Sequence, residues 1–170
     1  MSTPNEQNEQ SATPSSKTTK LSTRKYLIFN LSGSVYGVPL SDVKEVIGLP
    51  SCVPVPNSPA YFLGLINLRG KVISAIDLKR KLSVPTVSAA VKRPAVILTE
   101  ITSITIGCVV DSIQEVLNIP EEQIERSIEF MRDRELIQGV ARLQGRPMII
   151  LLDMKKTTDI SEVVKLKAAA

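Results

Sequence analysis

Gly64-Leu65-Ile66-Asn67-Leu68-Arg69-Gly70-Lys71-Val72-Ile73-Ser74-Ala75-Ile76-Asp77-Leu78 is the stretch on which the fold turns. Two apolar runs flank Arg69-Gly70, a dipeptide suited to a tight turn, so the stretch predicts a β-hairpin. Arg69 is the cation set between the two runs. A guanidinium among apolar strands must find a partner or leave the core. The pattern then returns as Gly139-Val140-Ala141-Arg142-Leu143-Gln144-Gly145-Arg146-Pro147-Met148-Ile149-Ile150-Leu151-Leu152-Asp153. Both copies read Gly-apolar-apolar-polar-Leu-polar-Gly-basic, followed by an apolar run ending in Asp.

The echo extends outward. Gly37 and Gly107, Glu45 and Glu115, and Pro50 and Pro120 are each 70 residues apart. Gly64 and Gly139, and Gly70 and Gly145, are 75 apart, which places five extra residues in the charged segment Glu121 to Glu135. A repeat of this length is one small domain per copy. Each copy carries four or five short strands with Gly and Pro at the corners, the pattern of a small barrel. A lone unit of that size buries only roughly 60 % of its chain surface, so two units packed through an apolar face are expected. The predicted fold is mainly β: two pseudo-symmetric five-stranded barrels, short helices and a C-terminal helix.

Residues 1–24 are rich in Ser, Thr, Asn, Gln and Pro and predict a disordered tail. Tyr26–Leu31 and Val35–Leu40 predict a hairpin about Ser32-Gly33-Ser34, with Pro39 at a strand end. Ser41 or Asp42 is expected to cap a short helix through Val43–Ile47, stopped by Gly48 and Pro50. Ser58-Pro59 predicts one helical turn through Phe62. Val84 to Pro94 is a weakly patterned connector, placing the subdomains at about 25–90 and 91–156. Val96–Ile101 and Ile104–Val110 predict a hairpin turning at Thr102-Ser103. Asp111, with Gln114 three residues on, predicts a capped helix over Ser112–Leu117. Glu121 to Glu135 reads as a charged surface loop. Asp159-Ile160-Ser161-Glu162 is a capping-box pattern opening a last helix through Leu166, so 157–170 is expected to form a C-terminal helix and tail.

Composition narrows the function classes. The 170 residues contain no His, which removes the commonest general base and metal ligand. The net charge is +4, yet between Lys25 and Asp153 fourteen Lys and Arg face thirteen Asp and Glu. A nucleic-acid binder concentrates its basic excess with interleaved aromatics, and neither feature is present, so no nucleic-acid partner is expected. Cys52 and Cys108 stand alone and read as reduced thiols, though their spacing leaves a disulfide open. No run reaches the ~18 apolar residues of a membrane span, and no apolar signal region opens the chain, so a cytoplasmic protein is expected. No phosphate-binding Gly loop, no nucleophile elbow and no cofactor motif occur. Asp77 and Asp153 end equivalent strands, where Asp serves as a turn former or cap rather than as an acid or base. Glu45 and Glu115 read as solvated helix carboxylates. Arg69 has two readings: a fork that clamps a carboxylate or carbonyls, or an arginine that contacts a partner. Gln144 holds the equivalent place in the second copy, which argues that the barrel does not need Arg69 merely to form.

Val43-Lys44-Glu45-Val46, Gly64 to Gly70, Ile76-Asp77-Leu78, Val110-Asp111-Ser112-Ile113-Gln114-Glu115-Val116 and Gly139-Val140-Ala141 closely resemble the CheW family of chemotaxis coupling proteins, from about Tyr26 to Lys156. The resemblance implies two intertwined SH3-like barrels with a hydrophobic seam. It implies a scaffold without enzymatic activity or cofactor that couples chemoreceptors to the histidine kinase CheA. The receptor's cytoplasmic hairpin tip would lie in the groove between barrels, and the regulatory domain of CheA at the barrel ends. Such a protein would be a monomer in isolation, assembled in arrays at the inner face of the membrane. Carried onto matching positions, Val43, Glu45 and Val46 would lie near the receptor-facing groove, with Asn67 and Arg69 supporting or touching it. Ile113 and Glu115 match the second-barrel motif without an assigned partner. Ser74 departs from the family's common Pro and is expected to leave a strand edge less protected. A CheW-like peptide-binding adaptor outside chemotaxis, as in surface motility, would use the same fold. An RNA-binding barrel pair is the third alternative.

Overall fold

The computed structural model describes residues 22–85, 93–126, 134–158 and 161. Its strands are β1 (Thr23–Leu31), β2 (Ser34–Pro39), β3 (Glu45–Gly48), β4 (Cys52–Val53), β5 (Phe62–Leu68), β6 (Lys71–Asp77), β7 (Ala95–Ile101), β8 (Ile104–Val110), β9 (Ser112–Pro120), β10 (Ile124–Glu125), β11 (Ile137–Ala141) and β12 (Ile149–Leu152). Two helices of four residues, α1 (Leu78–Lys81) and α2 (Met154–Thr157), follow β6 and β12. The strands form two six-stranded sheets, ordered β10-β11-β12-β2-β1-β9 and β3-β7-β8-β6-β5-β4. The chain is mainly β, with two matching halves, as the repeat requires.

Each sheet draws strands from both halves of the sequence. The first takes β1 and β2 with β9 to β12; the second takes β3 to β6 with β7 and β8. The exchange is sealed by two equivalent parallel pairs. Gly37 of β2 lies opposite Leu151 of β12, and Gly107 of β8 lies opposite Ala75 of β6.

Three cores explain the strand sequences. Tyr26, Ile28, Ile119, Ile149 and Leu151 fill the inside of the first sheet. Ile66, Ile73, Ala75, Val96 and Leu98 fill the second. Leu27, Phe29, Leu31, Ile76, Leu78, Ile97, Ile106, Cys108, Leu152 and Met154 form a third core between them. Side chains alternate along a strand, so β1 sends Tyr26 and Ile28 inward and Leu27, Phe29 and Leu31 to the shared core. Both faces are buried, which is why these strands read as unbroken apolar runs.

Three hairpins turn on two residues with positive φ at both: Ser32 (49°) and Gly33 (82°), Arg69 (51°) and Gly70 (80°), Thr102 (48°) and Ser103 (68°). Positive φ at both central residues is the type I′ geometry, whose twist matches the flanking strands. The glycines that open the repeated motif have a different cause. At Gly64 a Cβ would lie 2.1 Å from the Val53 carbonyl oxygen, and at Gly139 it would lie 2.7 Å from that of Glu125. Register shifts fall at both positions, so each motif starts on a bulge pressed against a neighbouring short strand. Asp77 and Asp153 cap the two helices: Asp77 Oδ1 accepts from the Lys79 and Arg80 amides, and Asp153 Oδ1 from that of Lys156. The residue after each cap, Leu78 or Met154, is fully buried in the shared core.

Several local expectations are overturned. The helix expected at Val43–Ile47 is a 3₁₀ turn at Leu40–Asp42 followed by β3, which pairs with β7 from Glu45 opposite Leu98 to Gly48 opposite Ala95. The helix expected at Ser112–Leu117 is part of β9, paired along β1. Neither segment is long enough to hold a helix alone, and β-branched residues facing an available strand edge favour the ladder. The turn before β5 is closed by the Phe62 amide on the Pro59 carbonyl, while Ser58 Oγ donates to the Val55 carbonyl. The last helix falls outside the described residues apart from Ser161, which is helical; the tail falls outside them up to residue 21, and β1 is already formed at Thr23.

Candidate functional site

β3 and β9 are the end strands of the two sheets, and the repeat places them at corresponding positions. Val43 and Ile113, 70 residues apart, both pack partly buried against the shared core. Two residues on stand Glu45 and Glu115. One further stand Val46 and Val116, large apolar side chains with 39% and 48% of their surface exposed. Each edge therefore presents the same series: a seam residue, a carboxylate and an exposed valine.

Both carboxylates are held by an arginine from a hairpin loop. Arg69, at the β5–β6 turn, forks onto Glu45, with Nη2 2.7 Å from Oε1 and Nη1 3.3 Å from Oε2. Arg146, in the loop between β11 and β12, forks onto Glu115 through Nη1 to Oε1 and Nη2 to Oε2. The Glu115 carboxylate raises the pKa of Arg146. In sheet order β3 lies four strands from β5, so the first fork requires the sheet to curl until its end strand meets the far turn. Ile47 of β3 and Cys52 of β4, from opposite ends of that sheet, also meet on one core. These contacts give the curl of a small barrel.

Arg69 is accordingly not a buried cation. Its side chain is 75% exposed at the hairpin tip, where leaving the apolar wall costs it nothing. Asn67 is exposed and builds the same tip, its Oδ1 accepting the Gly70 amide at 3.0 Å. The first five candidates thus come together by chain proximity and the fork: Val43 just ahead of β3, Glu45 and Val46 at its start, Asn67 and Arg69 at the turn. Ile113 and Glu115 belong to the other sheet and its own fork. Glu45 and Glu115 are strand residues bound by guanidinium, not solvated helix carboxylates.

The sequence reading missed Arg146 and Val116. By alignment Gln144 is the counterpart of Arg69, which implies an asymmetry between the halves. The second half supplies its guanidinium from the other side of the loop glycine, two residues later, so both halves have the fork and the expected asymmetry at Arg69 is absent. Val116 was legible from the 70-residue offset applied to Val46. Ser74 is also corrected: β6 lies between β5 and β8, so no edge is opened, and the residue is 2% exposed with its hydroxyl lacking a hydrogen-bond partner.

Among the described residues no cluster of His, Cys, Asp or Glu has metal-binding form. Among the described residues no helix is long and apolar enough to cross a membrane.

Residues 25–162 match the family model of the CheW-like domain. The chemotaxis protein CheW of Klebsiella aerogenes is 32% identical over 142 residues, spanning 82% of this chain and 84% of that protein. The chemotaxis protein CheW of Rhizobium meliloti is 29% identical over 133 residues, spanning 77% and 84%. The crystal structure of the scaffolding protein TtCheW from Thermoanaerobacter tengcongensis superposes with a TM-score of 0.74 at 30% identity, covering 85% of this chain and 93% of that one.

Proposed function

We infer the function from one premise: the chain belongs to the family of the CheW-like domain. It is an adaptor of chemotaxis signalling that works by binding and catalyses no reaction. Its partners are the cytoplasmic hairpin tip of a chemoreceptor and the regulatory domain of the histidine kinase CheA. It acts in the cytoplasm, at receptor arrays on the inner face of the membrane, and is a monomer outside them. Val43, Glu45, Val46, Asn67 and Arg69 form one partner-binding cluster; Ile113 and Glu115 belong to a second.

The observation that carries this reading is the pair of end strands, each with an exposed valine beside a carboxylate locked by arginine. A sheet end with an unpaired backbone row and an apolar side chain suits the docking of a protein surface. The fork holds that strand in place without covering the valine. The test is Val46→Lys in a reconstituted mixture of receptor, kinase and this protein. Val46 is exposed, so the variant keeps its melting temperature; receptor-controlled kinase activity falls at least about tenfold, as for loss of a small interface hot spot. Full coupling by a folded Val46→Lys protein would remove this strand from the interface.

A further inference from the structure

The exchange of hairpins between the halves is reciprocal. β1 and β2 of the first half enter the sheet built by β9 to β12, and β7 and β8 of the second half enter the sheet built by β3 to β6. Each hairpin lies between an end strand of the receiving half and a parallel partner: β1 on β9 and β2 on β12, β7 on β3 and β8 on β6. The registers correspond as well. Ile28 faces Glu115 in one sheet and Leu98 faces Glu45 in the other, so both members of the pair keep the 70-residue offset. Each half thus gives what it receives, which is the geometry of an isologous, hairpin-swapped dimer written into one chain.

The local devices respect the same division. Both forks, both capping Asp residues and both bulge contacts, Gly64 on Val53 and Gly139 on Glu125, link residues of a single half. What crosses between the halves is the strand ladders, the shared core and polar contacts such as Lys79 with Asp111, Lys44 with Glu100, and Thr99 Oγ1 donating to the Asp42 carbonyl at 2.8 Å. None of these is covalent. The chain passes between the halves once, from Val84, whose amide donates to the Lys79 carbonyl, to Ala95, which opens β7. A half belonging to another molecule can therefore make every cross-half contact with the same geometry.

We propose that the surface each half presents to the other is an interface for a second copy of this chain: the first half of one copy is completed by the second half of another, and the reverse, giving a dimer of two full bodies. Each body then bears a β3 edge from one copy and a β9 edge from the other, and the particle carries both edges twice. The ten residues between Val84 and Ala95 decide between the two forms. A link of that length holds the halves of one copy together at an effective concentration on the order of 1 mM, so the closed monomer prevails in micromolar protein and exchange competes near 1 mM. Exchange uses no receptor or kinase contact, so its failure and theirs are read separately.

The test refolds the full chain from urea. Refolding at about 1 mM should give a dimer by light scattering, and refolding at about 10 µM a monomer. The ¹⁵N spectrum of the isolated dimer should match that of the monomer except near residues 84–95, since every strand keeps its neighbours. Two full-length variants form the second arm. Gly64→Val sets a Cβ 2.1 Å from the Val53 carbonyl oxygen and spoils the first half; Gly139→Val sets one 2.7 Å from that of Glu125 and spoils the second. Refolded together, they should yield a dimer in which one body has only wild-type halves, and severalfold more folded protein than the two refolded apart. Monomer alone at the higher concentration, a dimer whose strand amides move, or a mixture that recovers no more than its separate components overturns the proposal.

Discussion

Replacing Arg69 by Ala separates a folding role from a binding role, and the geometry sets the size of each. The fork to Glu45 is bidentate, which favours it, but the two side chains are 75% and 33% exposed. Pairs this exposed contribute about 0.2–1 kcal/mol, and the screening of the outer partner keeps the value in that range. For a chain of this length 1 kcal/mol moves the melting temperature by roughly 2–4 °C. Arg69→Ala should therefore melt at most about 4 °C below the wild-type protein. Arg69 also sits at φ 51°, a conformation that alanine tolerates no better and asparagine tolerates well. Arg69→Asn should recover part of the loss while still lacking the fork. The two variants thus distinguish turn strain from the ion pair. Melting is followed by circular dichroism at low and high salt, and the difference between wild type and variant should shrink as salt rises. Coupling is measured as receptor-controlled kinase activity; on the partner-contact reading both variants lose it while folded. A drop above about 10 °C, far outside the range for a surface pair, would show that the fork holds the barrel closed and refute the reasoning.

Ser74→Ala removes a buried hydroxyl that has no hydrogen-bond partner, so urea denaturation should show a gain of up to about 1 kcal/mol. Lys79→Ala leaves the largely buried Asp111 carboxylate without its cation, and the same measurement should show a loss of about 1–3 kcal/mol. Burial raises the pKa of the Cys108 thiol and of the Tyr26 and Tyr36 phenols, whose ordinary values are 9.0 and 10.0. The unfolded chain ionises first, so the stability held below pH 9 should fall as pH rises past the thiol value and then the phenol value; urea midpoints from pH 7 to 11 check the sign. A fragment ending within 86–92 should stay unfolded by circular dichroism, because β1 and β2 would lack β9 to β12, and β3 to β6 would lack β7 and β8.

The repeat, the hairpins and the mainly β character are legible because each rests on local chemistry: tight-turn residues between apolar runs, and Asp residues at the ends of equivalent strands. The segments after Pro39 and Val110 were misread for the reverse reason. Ser41-Asp42 and Asp111-Ser112 look like helix caps, yet Asp111 accepts the amide of Ser32, a residue 79 positions away in sequence. Gln114 reaches Asn30 instead of closing a capping box. No local window contains those partners. The forks failed differently. Glu45 and Glu115 were singled out by their offset, but the loop carrying Arg146 is longer than the Arg69 turn, so position-by-position alignment selected Gln144.

Strand exchange explains why the two carboxylate–guanidinium forks sit on end strands. A barrel of one repeat would close its edges on itself and leave its apolar outer face to be covered by association. Here β1 and β2 cross to the sheet of the other half, so one continuous core of Leu27, Phe29, Ile76, Ile97, Cys108 and Leu152 joins both sheets. The far ends of the sheets are short strands of two residues, β4 and β10, which expose little backbone. β3 and β9 are then the longer ends left over, and each is fixed from the side by a guanidinium rather than hidden by another strand. A carboxylate–guanidinium fork holds the edge without filling its backbone hydrogen-bonding positions or covering its valine. That arrangement is consistent with a surface kept ordered and open, and it accounts for why Glu45 and Glu115 recur at the same offset as the glycines and prolines that build the fold.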